Sequence, residues 1–481
     1  MMKRKIMPLT FVALCLILCM IPSLMTIFRP SDEAIGNERQ VDPPSFTNAD
    51  GSFNTGFFTQ LGTYFEQHFA FRPELITADA RVQANAFGTS NLDTVIVGTD
   101  GWLYYTDTLD DFLGRDTLSA REVQDIVHNL KLIRDYARSQ GAAFLFTIAP
   151  NKNTLYPEHM PYYDSLSVSE VRNRDLLRAA LADSDILYAD LFGVLEEQDE
   201  VLYFARDSHW NNKGALFAYD TILTVLGKEH DDYSSAPIVR RKDFIGDLSR
   251  MLYPAGDDAE ENYDYGAEER YSYVTDTKSV EDARIVTVNP DADGTLYLYR
   301  DSFGNALLPF FAAAFGDATF TKAFPMLLEQ ELDSIKPDVF IMELAERNVD
   351  WLITRPPVMP SPTLSSYSLS GEGDADVPLT AEPCFYSKNY IRFSGELDSS
   401  LLANSDVILL AVTDPDGGTI TYECFGLSAE GNKTGFIAYA PAEGYAAGAE
   451  LTISVIKQSG SERTHLAAAQ VTVMGGNDEK Q

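Results

Sequence analysis

Strand-like apolar runs alternate with helical patterns from about residue 119, and this constrains the fold more than any other feature of the chain. AAFLFTIAP (142–150), ILYADL (186–191), TLYLYR (295–300) and PDVFIMELA (337–345) are mostly apolar rather than alternating, and ATFTKAF (318–324) is a further run. Helical stretches separate them. One spans 119–141, with Ser119 placed as N-cap, Glu122 three residues on and Gly141 as the stop. Others fall near 168–182, near 211–226 and over 301–316. Apolar strands joined by helices predict a doubly wound parallel sheet with helices on both faces, a three-layer α/β fold. Before it, 57–90 carries helical periodicity (Phe57, Leu61, Tyr64, Phe65, Phe69) and is expected to cover the main domain. TVIVGTDGWLYY (94–105) then reads as a hairpin turning at Thr99, Asp100 and Gly101. Residues 228–290 are irregular and acidic.

The two ends differ in texture. Lys3, Arg4 and Lys5 precede an uncharged apolar run over 6–28, long enough to span a bilayer as a helix. The basic flank stays cytoplasmic by the positive-inside rule, so 1–30 is expected to be a transmembrane signal-anchor with the bulk of the chain extracytoplasmic. Secretion after signal cleavage is the alternative; the length of the run and the lack of an A-x-A-like site near Pro30 weigh against it. Residues 31–56 read as a linker, 57–358 as the α/β domain, and 364–476 as an antiparallel β-sandwich of short runs such as YIRFSGEL and DVILLAVT. Cys384 and Cys424 fall in that last part, as a disulfide in an oxidising compartment or as two buried thiols. With 37 basic and 72 acidic residues the formal charge is −35, which argues against nucleic-acid partners. The six histidines are scattered and no Cys/His cluster has zinc-ligand spacing, so neither a protein-bound metal nor a cofactor is implied.

Three segments carry candidate chemistry. In Asp207-Ser208-His209-Trp210-Asn211, an Asp two residues before a His can accept the imidazole N–H and fix its tautomer, although such a pair also fits a surface turn with a capping Asp. In Arg300-Asp301-Ser302-Phe303-Gly304, a serine sits between a buried strand and an apolar helix. Its hydroxyl belongs at the carboxyl edge of the sheet, where open α/β folds bind ligands, and helix capping by Asp301 or Ser302 is the plainer alternative. The run Glu343 to Asn348 ends the last strand at the same edge, so Arg347 and Asn348 are candidates to stabilise an oxyanion. Lys152, Asn153, Trp210 and Asp301 are candidates for substrate binding. Trp102, Tyr104 and Tyr105 fit either a sugar-stacking wall or hairpin packing.

Together these segments resemble the SGNH hydrolase superfamily with its pieces rotated, as if circularly permuted. The rotated order is that of the DHHW and alginate O-acetyltransferase-like branch. The resemblance rests on GTDGWLYY (98–105), APNKNTLYPEHMP (149–161), DSHWN (207–211), IGDLSRML (245–252), RDSFGNAL (300–307) and ELAERN (343–348), and covers roughly 57–355. Ser208 stands where the name-giving motif has its second Asp or His. The resemblance implies a catalytic triad of Ser302, His209 and Asp207 and an acyl-serine intermediate. It implies an O-acetyltransferase acting on a cell-surface or secreted polysaccharide; alternatives are a carbohydrate O-acetylesterase or a non-catalytic glycan-binding assembly protein. It also implies a multispanning membrane O-acyltransferase as acetyl donor. The sandwich reads as an accessory carbohydrate-binding or spacer module, or as an immunoglobulin-like fold used only for packing.

Overall fold

The computed structural model describes residues 3–31, 35, 39–364, 370–371 and 373–475. Residues 32–34 and 36–38 of the expected linker, and 365–369, 372 and 476 of the expected sandwich, lie outside the described residues. The chain opens with helix α1 (Lys3–Thr26). No helix among the described residues is long and apolar enough to cross a membrane; the side chains of 3–9, 14–15 and 18–19, within α1, are outside the description.

Helices α2 (Phe57–His68) and α3 (Arg72–Phe87) lead to a hairpin, β1 (Val95–Val97) and β2 (Leu103–Tyr105). Asp100 and Gly101 turn it with φ of 53° and 81°, a left-handed geometry that this residue pair tolerates. In α4 (Ala120–Ser139) the Ser119 and Glu122 side chains each accept the other residue's backbone N–H, the reciprocal cap expected from the sequence. There follow β3 (Ala143–Ala149), α5 (Asn173–Ala182), β4 (Tyr188–Ala189), α6 (Asn212–Leu226), β5 (Val239–Phe244), α7 (Asp247–Leu252) and β6 (Glu260–Asp264). The domain closes with β7 (Ser272–Tyr273), β8 (Arg284–Val288), β9 (Thr295–Tyr299), α8 (Gly304–Ala314), β10 (Asp317–Thr321), α9 (Leu328–Ile335) and β11 (Val339–Ala345).

Seven strands form the main sheet in the order β4-β3-β11-β9-β10-β8-β7. The first five are parallel. β8 and β7 are antiparallel additions, so the sheet is mixed rather than wholly parallel as expected. β8 alternates buried residues with exposed or half-buried ones and lies within the acidic stretch 228–290, so no continuous apolar run marks it. Successive strand residues point to opposite faces. Phe144, Phe146, Tyr297, Phe340 and Met342 join α4, α5 and α9 in one core. Leu145, Leu296, Leu298 and Ile341 join α6 and α8 in the other.

Two more sheets follow. One is β12 (Thr363–Leu364), β16 (Thr419–Glu423), β15 (Val407–Thr413), β19 (Glu450–Ser459) and β20 (Glu462–Thr472); the other is β13 (Leu379–Pro383), β14 (Tyr390–Asp398), β18 (Lys433–Pro441) and β17 (Phe425–Ser428), each in spatial order. Their inner faces share a core that includes Phe393, Leu410, Val412, Phe436 and Ile453. Cys384 and Cys424 are both buried free thiols. The outer face of the four-stranded sheet packs on α4: Phe425, Ile437 and Tyr439 enter the α/β core. The Asn129 side chain donates to Gly426 O (2.8 Å) and accepts from Gly426 N (2.9 Å).

A Cβ at Gly426 would meet the buried Asp125 carboxylate of α4. Gly426→Ala is therefore expected to lower unfolding free energy by about 1–3 kcal/mol through overpacking. It should also raise amide exchange along β17 and α4. Unchanged denaturant midpoint and exchange would show that this contact does not hold the two parts together.

Candidate active site

The parallel strands β3, β9 and β11 end side by side, and the chain leaves each end into a candidate segment: Asn151 and Lys152 after β3, Asp301 and Ser302 after β9, Glu346 to Asn348 after β11. The Asp301 carboxylate joins two of these ends. Its Oδ1 accepts Phe303 N (2.9 Å), while its Oδ2 accepts Ala345 N (2.7 Å) and Asn348 Nδ2 (2.7 Å). Ser302 is thereby presented on a turn clamped to the neighbouring strand. Behind it lie Arg300 and Glu343, both fully buried. Arg300 donates to Val280 O and to the Asn305 side chain, and Glu343 accepts Asp301 N (3.2 Å). Burial, reinforced by the nearby Asp301 charge, pushes the Glu343 carboxyl well above the ordinary carboxylate range.

Across the edge, His209 Nε2 lies 2.8 Å from Ser302 Oγ, and His209 Nδ1 lies 2.7 Å from Asp207 Oδ1. The residues that the sequence placed 93 positions apart therefore meet. The surroundings select the tautomer. Nδ1 faces Asp207 Oδ1, Ser208 Oγ (3.2 Å) and Asp247 Oδ2 (3.8 Å). Ser208 spends its own proton on Asp247 Oδ2 (2.5 Å), so Nδ1 meets acceptors and carries the hydrogen, leaving the Nε2 lone pair for the serine proton. Burial alone would lower the His209 pKa, but the Asp207 carboxylate, and Asp247 beyond it, raise it above the ordinary value. Burial would raise Asp207; the His209 charge and hydrogen bonds from His209 and Asp247 N bring it down to about 2.

Asp247, within IGDLSRML, joins the site without being among the sequence candidates. Nothing in its spacing reveals the role; only the fold brings α7 against the DSH segment. Gly246 makes that approach possible, since a Cβ there would run into Arg206 and Asp207. Asp247 accepts Ser208 N (2.8 Å), and its N–H donates to Asp207 Oδ2 (2.7 Å), so the two carboxylates are locked together. Among the described residues, Asp207, His209 and Asp247 are the one group whose potential metal-ligand atoms all lie within 4.8 Å, and each already has partners within the protein.

Several other candidates have different surroundings from those expected. Lys152 and Asn153, candidates for substrate binding, are both buried. Lys152 Nζ donates to the carbonyls of Phe204 (3.2 Å), Ala205 (3.0 Å) and Asp207 (2.5 Å), and sits over the Trp102 and Tyr104 rings. It braces the loop that carries Asp207. Burial lowers its pKa to about 8 against the pull of Asp207, Asp247 and Glu260, which leaves it mainly charged at pH 7. Asn153 donates to Thr108 O (3.2 Å). Trp210 is buried, donates Nε1 to Phe303 O (3.1 Å) and packs edge-on against that ring, so it supports the serine turn from inside. Trp102 and Tyr104 are likewise core. Asp301 and Asn348 are engaged with each other as described. Arg347 is half-buried, its guanidinium over the Phe303 and Tyr105 rings at 5.5 and 5.6 Å, with no hydrogen bond recorded to it among the described residues.

Residues 95–286 match the family model described as SGNH hydrolase-like domain, acetyltransferase AlgX. The matched part contains Asp207, His209 and Asp247 and ends before Ser302. A probable alginate O-acetylase AlgJ of Pseudomonas fluorescens is 26% identical over 179 residues, 36% of this chain and 43% of that protein. The chain thus matches less than half the length of this curated relative. Among solved structures, Bacillus cereus PatB1 overlaps with a TM-score of 0.42 at 15% identity, covering 53% of this chain and 96% of that one. A DHHW family protein from Eubacterium siraeum overlaps with a TM-score of 0.40 at 14% identity, covering 53% and 91%. The resemblance to alginate O-acetyltransferases is thus present in the family model and in the curated relative as well as in the motifs.

Two outcomes follow from the site. Lys152→Met strips three carbonyls of their donor and is expected to cost about 2–4 kcal/mol of stability; a thermal midpoint within a degree of the parent would contradict the bracing role. Asp247→Asn removes a charge that raises the His209 pKa, so the imidazole should titrate at lower pH, as read from its NMR chemical shifts; an unmoved titration would sink that assignment.

Proposed function

We propose that the chain is an extracytoplasmic, serine-dependent O-acetyltransferase that modifies a cell-surface or secreted polysaccharide through an acyl-serine intermediate. The observation that carries this reading is the continuous relay from Asp207 Oδ1 through His209 to Ser302 Oγ, at 2.7 and 2.8 Å. Ser302 Oγ attacks the acyl carbonyl as its proton passes to His209 Nε2. The new O–C bond forms, and the donor's leaving oxygen departs with that proton. In the second half a sugar hydroxyl gives its proton to His209, attacks the acyl-serine and releases Ser302. Asp207 holds the imidazole and balances its transient positive charge.

The Ser302 N–H has no partner recorded among the described residues and is the first oxyanion donor we assign. Arg347 is the second, since its guanidinium is beside Phe303 and uncommitted, whereas Asn348 is held by Asp301. The rotated chain order, with the Asp-His segment before the serine, is read as a circular permutation of the SGNH arrangement. The N-terminal segment 6–28 is read as a membrane anchor from its length, lack of charge and basic flank. By resemblance, a multispanning membrane O-acyltransferase is the acetyl donor. The β-sheets after residue 363 are read as an accessory or spacer module.

Ser302→Ala is expected to lower acetyl transfer from a soluble ester at least 1,000-fold, of the order seen when a triad nucleophile is removed. It should also abolish labelling by a fluorophosphonate probe. Transfer equal to that of the parent would remove Ser302 from the mechanism; acetate released to water without transfer to any glycan would make the protein an esterase. Since the imidazole must be neutral to accept the serine proton and its pKa is raised, activity should fall on the acid side with an inflection above the ordinary histidine value. A pH–rate profile flat down to pH 5 would contradict this.

A further inference from the structure

Helices α2 and α3 bury the wrong residues for an ordinary surface helix. The side of α3 that faces the protein carries Pro73, Thr77 and Ala80. Ala80 packs with Leu248 and Leu252 of α7, and Thr77 Oγ1 accepts Ala255 N (2.9 Å). The opposite side carries Phe71, Leu75 and Val82, which are 45%, 44% and 58% exposed. Helix α2 does the same: Phe58, Leu61 and Phe65, at spacings of three and four, are 75%, 41% and 42% exposed. A soluble helix places its large apolar side chains inward, and contiguous outward stripes of this kind mark an interaction face.

Two further observations say what covers it. The corner between the helices is fastened to the end of α1: Ala70 N donates to Thr26 Oγ1 (2.9 Å), and Ser31 N donates to His68 O (2.9 Å). The stripe therefore begins where α1 ends, next to Ile27 and Phe28, which are 75% and 78% exposed. In addition, residues 57–87 hold three acidic and two basic residues in a chain of formal charge −35, so this is an electrostatically quiet part of an acidic molecule.

We infer that α2 and α3 form a lipid-facing platform that rests in the boundary between headgroups and acyl chains of the membrane entered by α1. Attachment through apolar area rather than basic charge suits a zwitterionic surface, because the acidic remainder of the chain is repelled by an anionic one. The platform holds α7, and with it Asp247, at a fixed height above the bilayer through Ala80, with Thr77 holding the segment that follows α7. The inference rests on reading 6–28 as the anchor.

The test uses the full chain with Cys15→Ser and Cys19→Ser, reconstituted in phosphatidylcholine vesicles with or without brominated acyl chains. A nitrobenzoxadiazole dye is placed singly through Leu61→Cys, Val82→Cys, Leu16→Cys in α1, or Ile420→Cys in the C-terminal sheets. Dyes at 61, 82 and 16 should be quenched at least twofold by the brominated lipid, and the dye at 420 should not. Quenching at 16 without quenching at 61 and 82 would overturn the platform and leave the anchor. Quenching at 61 and 82 without 16 would keep the lipid-facing helices and overturn the spanning α1. Dyes at 61 and 82 shielded from water but unquenched, with energy transfer between labelled copies, would assign the face to a second copy and also overturn the proposal.

Discussion

Everything at the candidate active-site edge depends on how the Asp301 carboxylate is shared. Three donors converge on it: one from the serine turn, one from the backbone at the end of β11, and one from Asn348. A serine after a strand and before a helix is a common arrangement and by itself presents no nucleophile. Here the turn is tied sideways to the next strand, so Ser302 Oγ cannot drift relative to β11 without breaking charge-assisted hydrogen bonds. Trp210 secures the same turn from below through Phe303, and Trp210 belongs to the segment that carries His209. Serine and imidazole are thus registered against each other twice, once through the acid–base contact and once through the indole beneath it.

The imidazole has an equally determined setting. Asp207 and Asp247 are two carboxylates brought within reach of one ring nitrogen, a costly arrangement unless each is satisfied. Backbone N–H groups of His209, Ser208, Leu248 and Asp247 supply the compensation. The buried Lys152 adds positive charge behind them while holding the loop. A serine at 208 is structurally coherent, because its hydroxyl donates to Asp247 and leaves Nδ1 for Asp207.

Much of this was legible in the sequence, and the limits follow a pattern. Strand–turn–helix around Ser302 and the D-x-H spacing at 207–209 are local signals, and both segments stand where the alternation of elements put them. The helices at 57–87 were readable from their period. What periodicity cannot give is which side faces in, since an apolar stripe marks a face without naming its partner: Leu61 and Phe65, expected to cover the main domain, point away from it. The same limit explains Lys152, Asn153 and Trp210. Their residue types do not give their burial, which comes from segments far apart in the chain: the Trp102 and Tyr104 rings and the 204–207 carbonyls around Lys152, Thr108 against Asn153, and Phe303 against Trp210. β8 escaped notice because a half-buried strand in acidic surroundings lacks the apolar run that marked its neighbours.

The ends of the main sheet have a consequence of their own. Its outermost strands, β4 and β7, are each two residues long. Strand edges expose unpaired amide and carbonyl groups that can template cross-chain assembly. With so little ladder left open on either side, the sheet offers other chains almost no length to zip onto. That economy of margin matters for a protein rich in apolar strands, and it keeps intermolecular β-stacking from competing with the native pairing.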